Sequence, residues 1–542
     1  MSRPRVRSAW PGLRIRAAAA LCASFLLVGG AACNGPIPLD VMLDRGATLR
    51  VHGAPPTSLD PALVSDSVSW SYLIQIFSGL VRLDERLEIV PDLAERWELS
   101  PDGRTYTFTV RADAKFHSGR AVTADDFKYA LERALNPATH STTAHSYLGD
   151  IVGAADLLAG RATDLRGVRA PDPRTLEIEI DAPKSYFLAK LTHPISFALD
   201  RANVESGQSW FERPNGAGPF RLAAWERDTK ISLLRFNGYW AGPARVRAVE
   251  FDLSPVPGVV LYERGDVDVT EVDLGDLDRV GDPKNPLSRE LVVTPLLSTW
   301  YVGMNARMPP FDDPFVRRAF ALATDRPRLT RVFFRDTRTA ATTILPPGLP
   351  GHNPDVRAPA FDVPRARQVL AQSRYAGRMP EIVLAVGAGS ASTGEAMAEM
   401  YARNLGVDVG VREWGEDFLP MLERREAQMF LTGWIADYPH PENFLDILFH
   451  SRSNANYGAS ADPALDQVLE AARVERDEGR RADLYAQAER AILDQAAAIP
   501  IHHEVARALV RPYVRGLVWT PLGVLSYHNV EVGERTVERR AA

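Results

Sequence analysis

Cysteine is nearly absent: only Cys22 and Cys33 occur in 542 residues, both close to the N-terminus. A disulfide framework and a cysteine-based zinc site are thereby excluded. There is no basic excess either. The net charge is −6, against the strongly basic domain usual in a nucleic-acid binder. No segment after the N-terminal region reaches the ~18 consecutive apolar residues of a membrane-crossing helix, so the body of the chain reads as soluble. Self-similarity at a period of about 20–50 residues is missing, which argues against a solenoid. The chain carries no H-E-x-x-H, no G-x-S-x-G and no P-loop. Gly387-Ala388-Gly389 is too short for a dinucleotide fingerprint, and His502-His503 are adjacent rather than spaced to share a metal, so a structural role is expected of them. The acidic run Asp266, Asp268, Glu271, Asp273, Asp276 and Asp278 alternates with Val and Leu, lacks the EF-hand pattern and reads as solvated carboxylates. No cofactor, no metal and no catalytic apparatus is implied.

What is present is globular. Hydrophobic residues make up 45% and charged residues 24% of the chain, and the length implies two to four units of ~100–200 residues. Arg3, Arg5, Arg7, Arg14 and Arg16 precede an apolar run from 17 to 28, too short to span a bilayer but fitting the core of a signal peptide. Small residues then lead to Cys33. The segment resembles a bacterial lipobox, although Gly30 stands where an aliphatic residue is usual. The expectation is a signal peptide over 1–32, cleavage before Cys33, lipidation of Cys33 and a tether over 33–44.

Periodicity then marks an α/β chain. Residues 47–51 read as a strand. Ser100-Pro101-Asp102-Gly103 is a turn, followed by Tyr106, Phe108 and Val110 alternating with threonines as one buried strand face. Thr123 and Asp126 have capping-box spacing ahead of the stripe Phe127, Ala130, Leu131, Ala134 and Leu135. Asp313-Pro314 and Asp462-Pro463 each pair an N-cap with a first-turn proline. Further strands are expected over 176–180, 231–236 and 428–433, with a proline-broken loop over 435–441. Intermixed strands and helices point to α/β architecture.

Several blocks, in order, resemble the large extracellular solute-binding proteins for oligopeptides and dipeptides, family 5. They are residues 91–97, 102–108 and 115–119; Gly216-Ala217-Gly218-Pro219-Phe220 and Asn237-Gly238-Tyr239-Trp240; Asn305 with residues 310–313, 316–319 and 346–348; and Gly433-Trp434-Ile435-Ala436-Asp437-Tyr438 followed by Asn443-Phe444-Leu445. The resemblance implies a type II periplasmic-binding-protein fold: two lobes joined by hinge strands, with an extra subdomain inserted in the first lobe. On that basis lobe I takes 45–70, 190–305 and 500–542, the inserted subdomain 71–189, and lobe II 306–499. It also implies a periplasmic or cell-envelope protein, a monomer held to the membrane by its lipid, that captures peptides between its lobes and delivers them to the permease of an ABC importer. The alternatives are the same fold binding a nickel complex, an oligosaccharide or an opine, and a secreted hydrolase.

Asp437 is the leading candidate residue. It follows a strand at its carboxyl end, where open α/β sheets place ligands. In the peptide-binding relatives the aspartate of this motif pairs with the ligand α-ammonium, a charge-assisted contact roughly twice as strong as a neutral one. Trp434 and Trp414, the latter in Glu413-Trp414-Gly415-Glu416-Asp417-Phe418-Leu419, are candidate aromatic walls for varied side chains, and Gly433 and Tyr438 complete the candidate set. Some oligopeptide binders carry an arginine two residues before the motif glycine. Here that position is Leu431, which leaves recognition of a peptide C-terminus open, and Arg424 and Arg425 nearby read as a solvated surface pair.

Overall fold

The structure is a computed structural model that describes residues 48–535. The expected signal peptide (1–32), the tether (33–44) and Cys33 lie outside the described residues.

Three sheets organise the chain. A seven-stranded sheet has the order Leu291–Pro295, Val505–Val510, Val269–Glu271, Thr48–His52, Ala248–Asp252, Lys230–Arg235 and Phe220–Glu226. Thr48–His52 runs parallel to both neighbours, with Thr48 opposite Ala248 and Val51 opposite Val269. A six-stranded sheet has the order Thr339–Ala340, Ala498–His503, Ser298–Met304, Met429–Ile435, Val383–Gly387 and Gly410–Trp414. A four-stranded antiparallel sheet takes Ala94–Leu99, Thr105–Val110, Thr175–Glu179 and Val168–Asp172. The two larger sheets give the two α/β lobes that the resemblance implies.

Strand pairing fixes where the chain passes between lobes. It leaves the first large sheet after Pro295, enters the second at Ser298, and returns between His503 and Val505. The two crossovers are tied together: the Leu296 N–H donates to the Glu504 carbonyl at 3.0 Å, and the Glu504 N–H donates to Ser298 Oγ at 2.9 Å. Two short adjoining connections, residues 296–297 and 504, are the geometry of a hinge, which turns on a few element-terminal residues. Ser298–Met304 and Ala498–His503 therefore hydrogen-bond in the second sheet, whereas boundaries at 305 and 500 leave the first of these strands in lobe I and cut through the other. Helix Ser67–Ile76 likewise packs into the core under the first sheet through Trp70, Tyr72, Leu73 and Ile76, so a boundary at 70 cuts it.

Local signals act as read. In Thr105–Val110 the alternation buries Tyr106, Phe108 and Val110. Thr123 and Asp126 form a reciprocal capping box on helix Ala124–Leu135, whose stripe from Phe127 to Leu135 is buried. Asp313 accepts from the Phe315 N–H and Asp462 from the Ala464 N–H, both at 2.9 Å, each starting a helix at a proline. One reading is corrected. Asp268 is not solvated: it is fully buried and accepts from the Arg50 N–H (2.9 Å), the Arg50 and Arg535 guanidinium groups (2.7 and 2.9 Å) and Tyr513 Oη (2.9 Å). That many donors offset the desolvation a lone buried carboxylate suffers.

Candidate functional site

Strand Met429–Ile435 is the scaffold of the site. It pairs antiparallel to Ser298–Met304, with Gly433 opposite Trp300, and parallel to Val383–Gly387. The strand continues two residues beyond the expected end, so Trp434 and Ile435 are strand residues and the loop begins at Ala436. Gly433 is required by packing: a Cβ there would lie 2.6 Å from the Trp300 ring. After the loop, helix Glu442–Phe449 begins, and its Asn443 is fully buried. Asn443 Oδ1 accepts from Trp434 Nε1 (3.0 Å) and from the Asp437 N–H (3.1 Å), while its Nδ2 donates to Asp437 Oδ2 (3.0 Å). One amide side chain thus locks the tryptophan, the loop and the carboxylate into a single unit.

A cavity of about 220 Å³ opens against this unit. Gly433, Trp434 and Asp437 line it from the second lobe, together with Glu423 and Tyr457. The opposite wall comes from residues 64–67, Trp70, residues 142–143, Tyr147 and His193. Tyr147 Oη donates across the cavity wall to Asp437 Oδ2, and the Tyr147 ring stacks on His193 at 4.0 Å with an interplanar angle of 19°. Both hydrogen bonds to the Asp437 side chain fall on Oδ2, and Oδ1 accepts from no described residue. Burial pushes the Asp437 carboxyl up to about 6; the Asn443 and Tyr147 hydrogen bonds pull it back, and the negative Glu442 adds to the rise. Among the described residues no cation offsets this. The lining holds three carboxylates, Asp66, Glu423 and Asp437, and no lysine or arginine. His193 is held neutral, since burial lowers it to about 3.

The other candidates fall elsewhere. Tyr438 is fully buried, donates to Glu442 Oε2 at 2.5 Å and does not line the cavity. Trp414 ends an edge strand, packs against the second lobe's core with the Arg412 guanidinium 4.2 Å from its ring centre, and is likewise outside the lining. Arg424 pairs with Glu426 at the surface, while Arg425 donates to the Ser453 carbonyl. His502 and His503 sit buried in strand Ala498–His503, the first stacked on Trp300 and the second hydrogen-bonded to the Ser298 carbonyl.

Tyr147, Asn443, Glu423 and Trp70 carry no individual sequence signal. Asn443 stood within the resemblance blocks, and its fixed distance from Asp437 was the clue available. Tyr147 is 290 positions from its partner.

Comparison with known proteins supplies the remaining context. Residues 88–456 match the model of the bacterial extracellular solute-binding proteins, family 5 Middle. The periplasmic oligopeptide-binding protein OppA of Escherichia coli is 31% identical over 523 residues, covering 91% of this chain and 93% of that one. A probable deoxycholate-binding periplasmic protein, YgiS of Escherichia coli, is 31% identical over 481 residues, covering 85% and 88%. The crystal structure of Haemophilus influenzae OppA in complex with RPPGFSPFR superposes with a TM-score of 0.81 at 26% identity, covering 91% of this chain and all of that one.

Proposed function

This chain belongs to family 5 of the bacterial extracellular solute-binding proteins, and from that premise we propose that it captures peptides by their free α-ammonium and delivers them to an ABC importer. Asp437 carries the proposal. It is a largely enclosed carboxylate with one oxygen left without a partner, and the cavity it lines has no lysine or arginine among the described residues. An enclosed carboxylate without a cation costs several kcal/mol, and a ligand ammonium at Oδ1 supplies the missing charge. Trp434 and Gly433 form the adjoining wall, along which an extended peptide can lie as an added strand does.

The relative named for deoxycholate raises the second reading, a non-peptide solute. An anionic solute of that kind would meet Asp66, Glu423 and Asp437 with no lysine or arginine to offset them, so the same observation favours an amine. Calorimetry with trialanine and N-acetyl-trialanine, on wild type and Asp437→Asn, separates the readings. Each change alone should weaken binding by ~1.5–3 kcal/mol, the range for a hydrogen bond to a charged group, and the pair should cost less than the sum because both remove one contact. Full additivity, or indifference to acetylation, means that Asp437 does not hold the amine.

The proposal extends to the architecture and address of the protein. A first lobe carries the seven-stranded sheet and a second the six-stranded one, with the four-stranded sheet as a subdomain inserted in the first. The protein acts as a monomer in the cell envelope, tethered through an acylated Cys33. Cys33→Ser should move it from the membrane fraction to the soluble one, and a wild type that is already soluble and unacylated by mass would refute the anchor.

A further inference from the structure

The second lobe enters the first next to Asp437 but outside the lining of its cavity. Tyr438 is fully buried in an apolar cluster whose other buried members all come from residues 62–217. Its ring meets that of Tyr147 edge-on at 6.3 Å. Glu442, also buried, pairs through Oε1 with Lys190 Nζ at 3.0 Å, and its Oε2 accepts from Tyr438 Oη at 2.5 Å. Lys190 is held on its own side by Asp150 Oδ2 at 3.0 Å and the Ser146 carbonyl at 2.8 Å. None of Tyr438, Glu442, Lys190 and Asp150 lines the cavity at Asp437.

These side chains join parts that hinge opening separates. Opening the lobes about residues 296–297 and 504 draws Tyr438 out of the apolar cluster, which returns apolar surface to water, and parts Glu442 from Lys190. Burial lowers the Lys190 ammonium, but Asp150 and Glu442 outweigh burial and raise it, so the pair is ionic while enclosed. The two contacts differ in role. The ring supplies the attraction, since a buried ion pair often does no more than offset its own desolvation. The ion pair fixes the docking geometry, because a ring seated without it leaves a charge enclosed and short of a partner.

We propose that Tyr438 and the Glu442–Lys190 pair form a latch that holds the two lobes together whether or not the cavity is filled, so that ligand enters only during brief openings. The inference rests on the two-lobe reading above. It gives Tyr438, which does not line the cavity, a part in the rate of binding rather than in ligand contact. A latch common to the filled and unfilled protein favours neither, so it changes affinity little, but it slows entry in proportion to the fraction of time the lobes are open. Weakening it therefore speeds association without tightening binding. Damage to the fold does the reverse, slowing or abolishing binding.

The test is small-angle scattering on the purified protein with and without saturating trialanine, paired with stopped-flow association of the same peptide. Wild type should show one radius of gyration in both conditions. Glu442→Gln removes one side of the pair, a change that penalises only the state in which the pair is enclosed, and Tyr438→Ala removes the ring. Each should enlarge the peptide-free protein, return to the wild-type radius at saturation, and associate about tenfold or more faster than wild type. Tyr438→Phe keeps the ring and should match wild type. A wild-type radius that falls when trialanine is added overturns the latch, whether or not the variants fold. So does a Glu442→Gln protein as compact as wild type and no faster to associate. Opening by Tyr438→Phe as large as by Tyr438→Ala overturns the role of the ring. Failure of trialanine to bind wild type overturns the peptide reading, and the radii of the peptide-free proteins then decide the latch by themselves.

Discussion

Asp150 and Asp437 are both enclosed carboxylates, and they are treated in opposite ways. Asp150 receives Lys184 Nζ at 2.6 Å and Lys190 Nζ at 3.0 Å. Burial alone would raise its carboxyl, but the two lysines outweigh burial and hold it at about 2. Lys190 goes on to Glu442 Oε1 at 3.0 Å, and Glu442 receives Tyr438 Oη. This chain of charges joins the first lobe's side to the second with every member satisfied. Asp437, five residues before Glu442, has only the neutral donors Asn443 and Tyr147 and is pushed up to about 6. A carboxylate that holds the structure together brings its own cations. The one proposed to meet a ligand ammonium has neutral donors and an open oxygen.

The largest test of that contrast removes the structural cation. Lys190 is 3% exposed and donates also to the Ser146 carbonyl at 2.8 Å. Lys190→Met should destabilise the protein by ~3–5 kcal/mol, the effect of breaking a buried ion pair from one side, since Asp150 and Glu442 then lose a shared partner. Urea unfolding measures it, and a loss under ~1 kcal/mol would erase the distinction. Asp437→Asn should cost no stability under the same assay, because the charge it removes has no partner in the empty protein, while it weakens peptide binding as set out above.

The pH dependence sharpens the contrast further. The carboxyl of Asp437 is raised in the folded protein, so its contribution to stability is fully present below the unfolded value of 3.8 and is lost as pH rises through about 6. Asp150 is lowered, so its contribution is present above 3.8 and is lost as pH falls through about 2. Of the two, ligand binding should follow Asp437 under the proposed contact, because an ammonium needs the ionised form. Affinity for a free-amine peptide should fall about tenfold from pH 7.5 to pH 5, one decade for each unit below the midpoint. Asp437→Asn should give a flat profile over the same range, and a wild-type profile as flat as the variant's would remove Asp437 from the contact.

These opposite roles could be read from the sequence only in part. The turn at residues 100–103, the capping box at Thr123 and the two Asp-Pro caps depend on neighbours within four residues, and each forms as the local chemistry dictates. Asp437 was legible through its motif. Tyr438 was a candidate as the neighbour of Asp437 in its motif, and Trp414 through the resemblance of residues 413–419 to a pocket-lining segment. The structure directs Tyr438 onto Glu442, because successive residues of a chain leaving a strand do not share a face, and places Trp414 at the end of an edge strand, a position that only the tertiary sheet order sets. Tyr147 and Trp70 reach the cavity, and Lys190 reaches Asp150 and Glu442, through the packing of separate elements, which no local pattern encodes. Asp268 looked like its acidic neighbours, and only the convergence of Arg50, Tyr513 and Arg535 distinguishes it.

The smallest expected effect tests whether the neutral donors tune the waiting carboxylate. Tyr147 Oη donates to Asp437 Oδ2, while its ring stacks on His193 and meets Tyr438 edge-on at 6.3 Å. Tyr147→Phe keeps both ring contacts and removes only the hydroxyl. A donor to a carboxylate favours the charged form, so its loss should raise the Asp437 carboxyl above about 6. At pH 8 the carboxylate is still ionised and Oδ1 is untouched, so affinity for a free-amine peptide should change by less than about threefold, within ~0.6 kcal/mol. Near pH 6.5 the variant should be the weaker binder, because its binding midpoint moves upward by as much as about one unit, equivalent to one neutral hydrogen bond of ~1.4 kcal/mol. The measurement is the same affinity profile across pH for wild type and Tyr147→Phe. A midpoint that stays in place means that the hydroxyl does not stabilise the charged form. A midpoint that moves downward means that the hydroxyl accepts from a protonated Asp437, and that the carboxyl is kept neutral rather than poised for an amine.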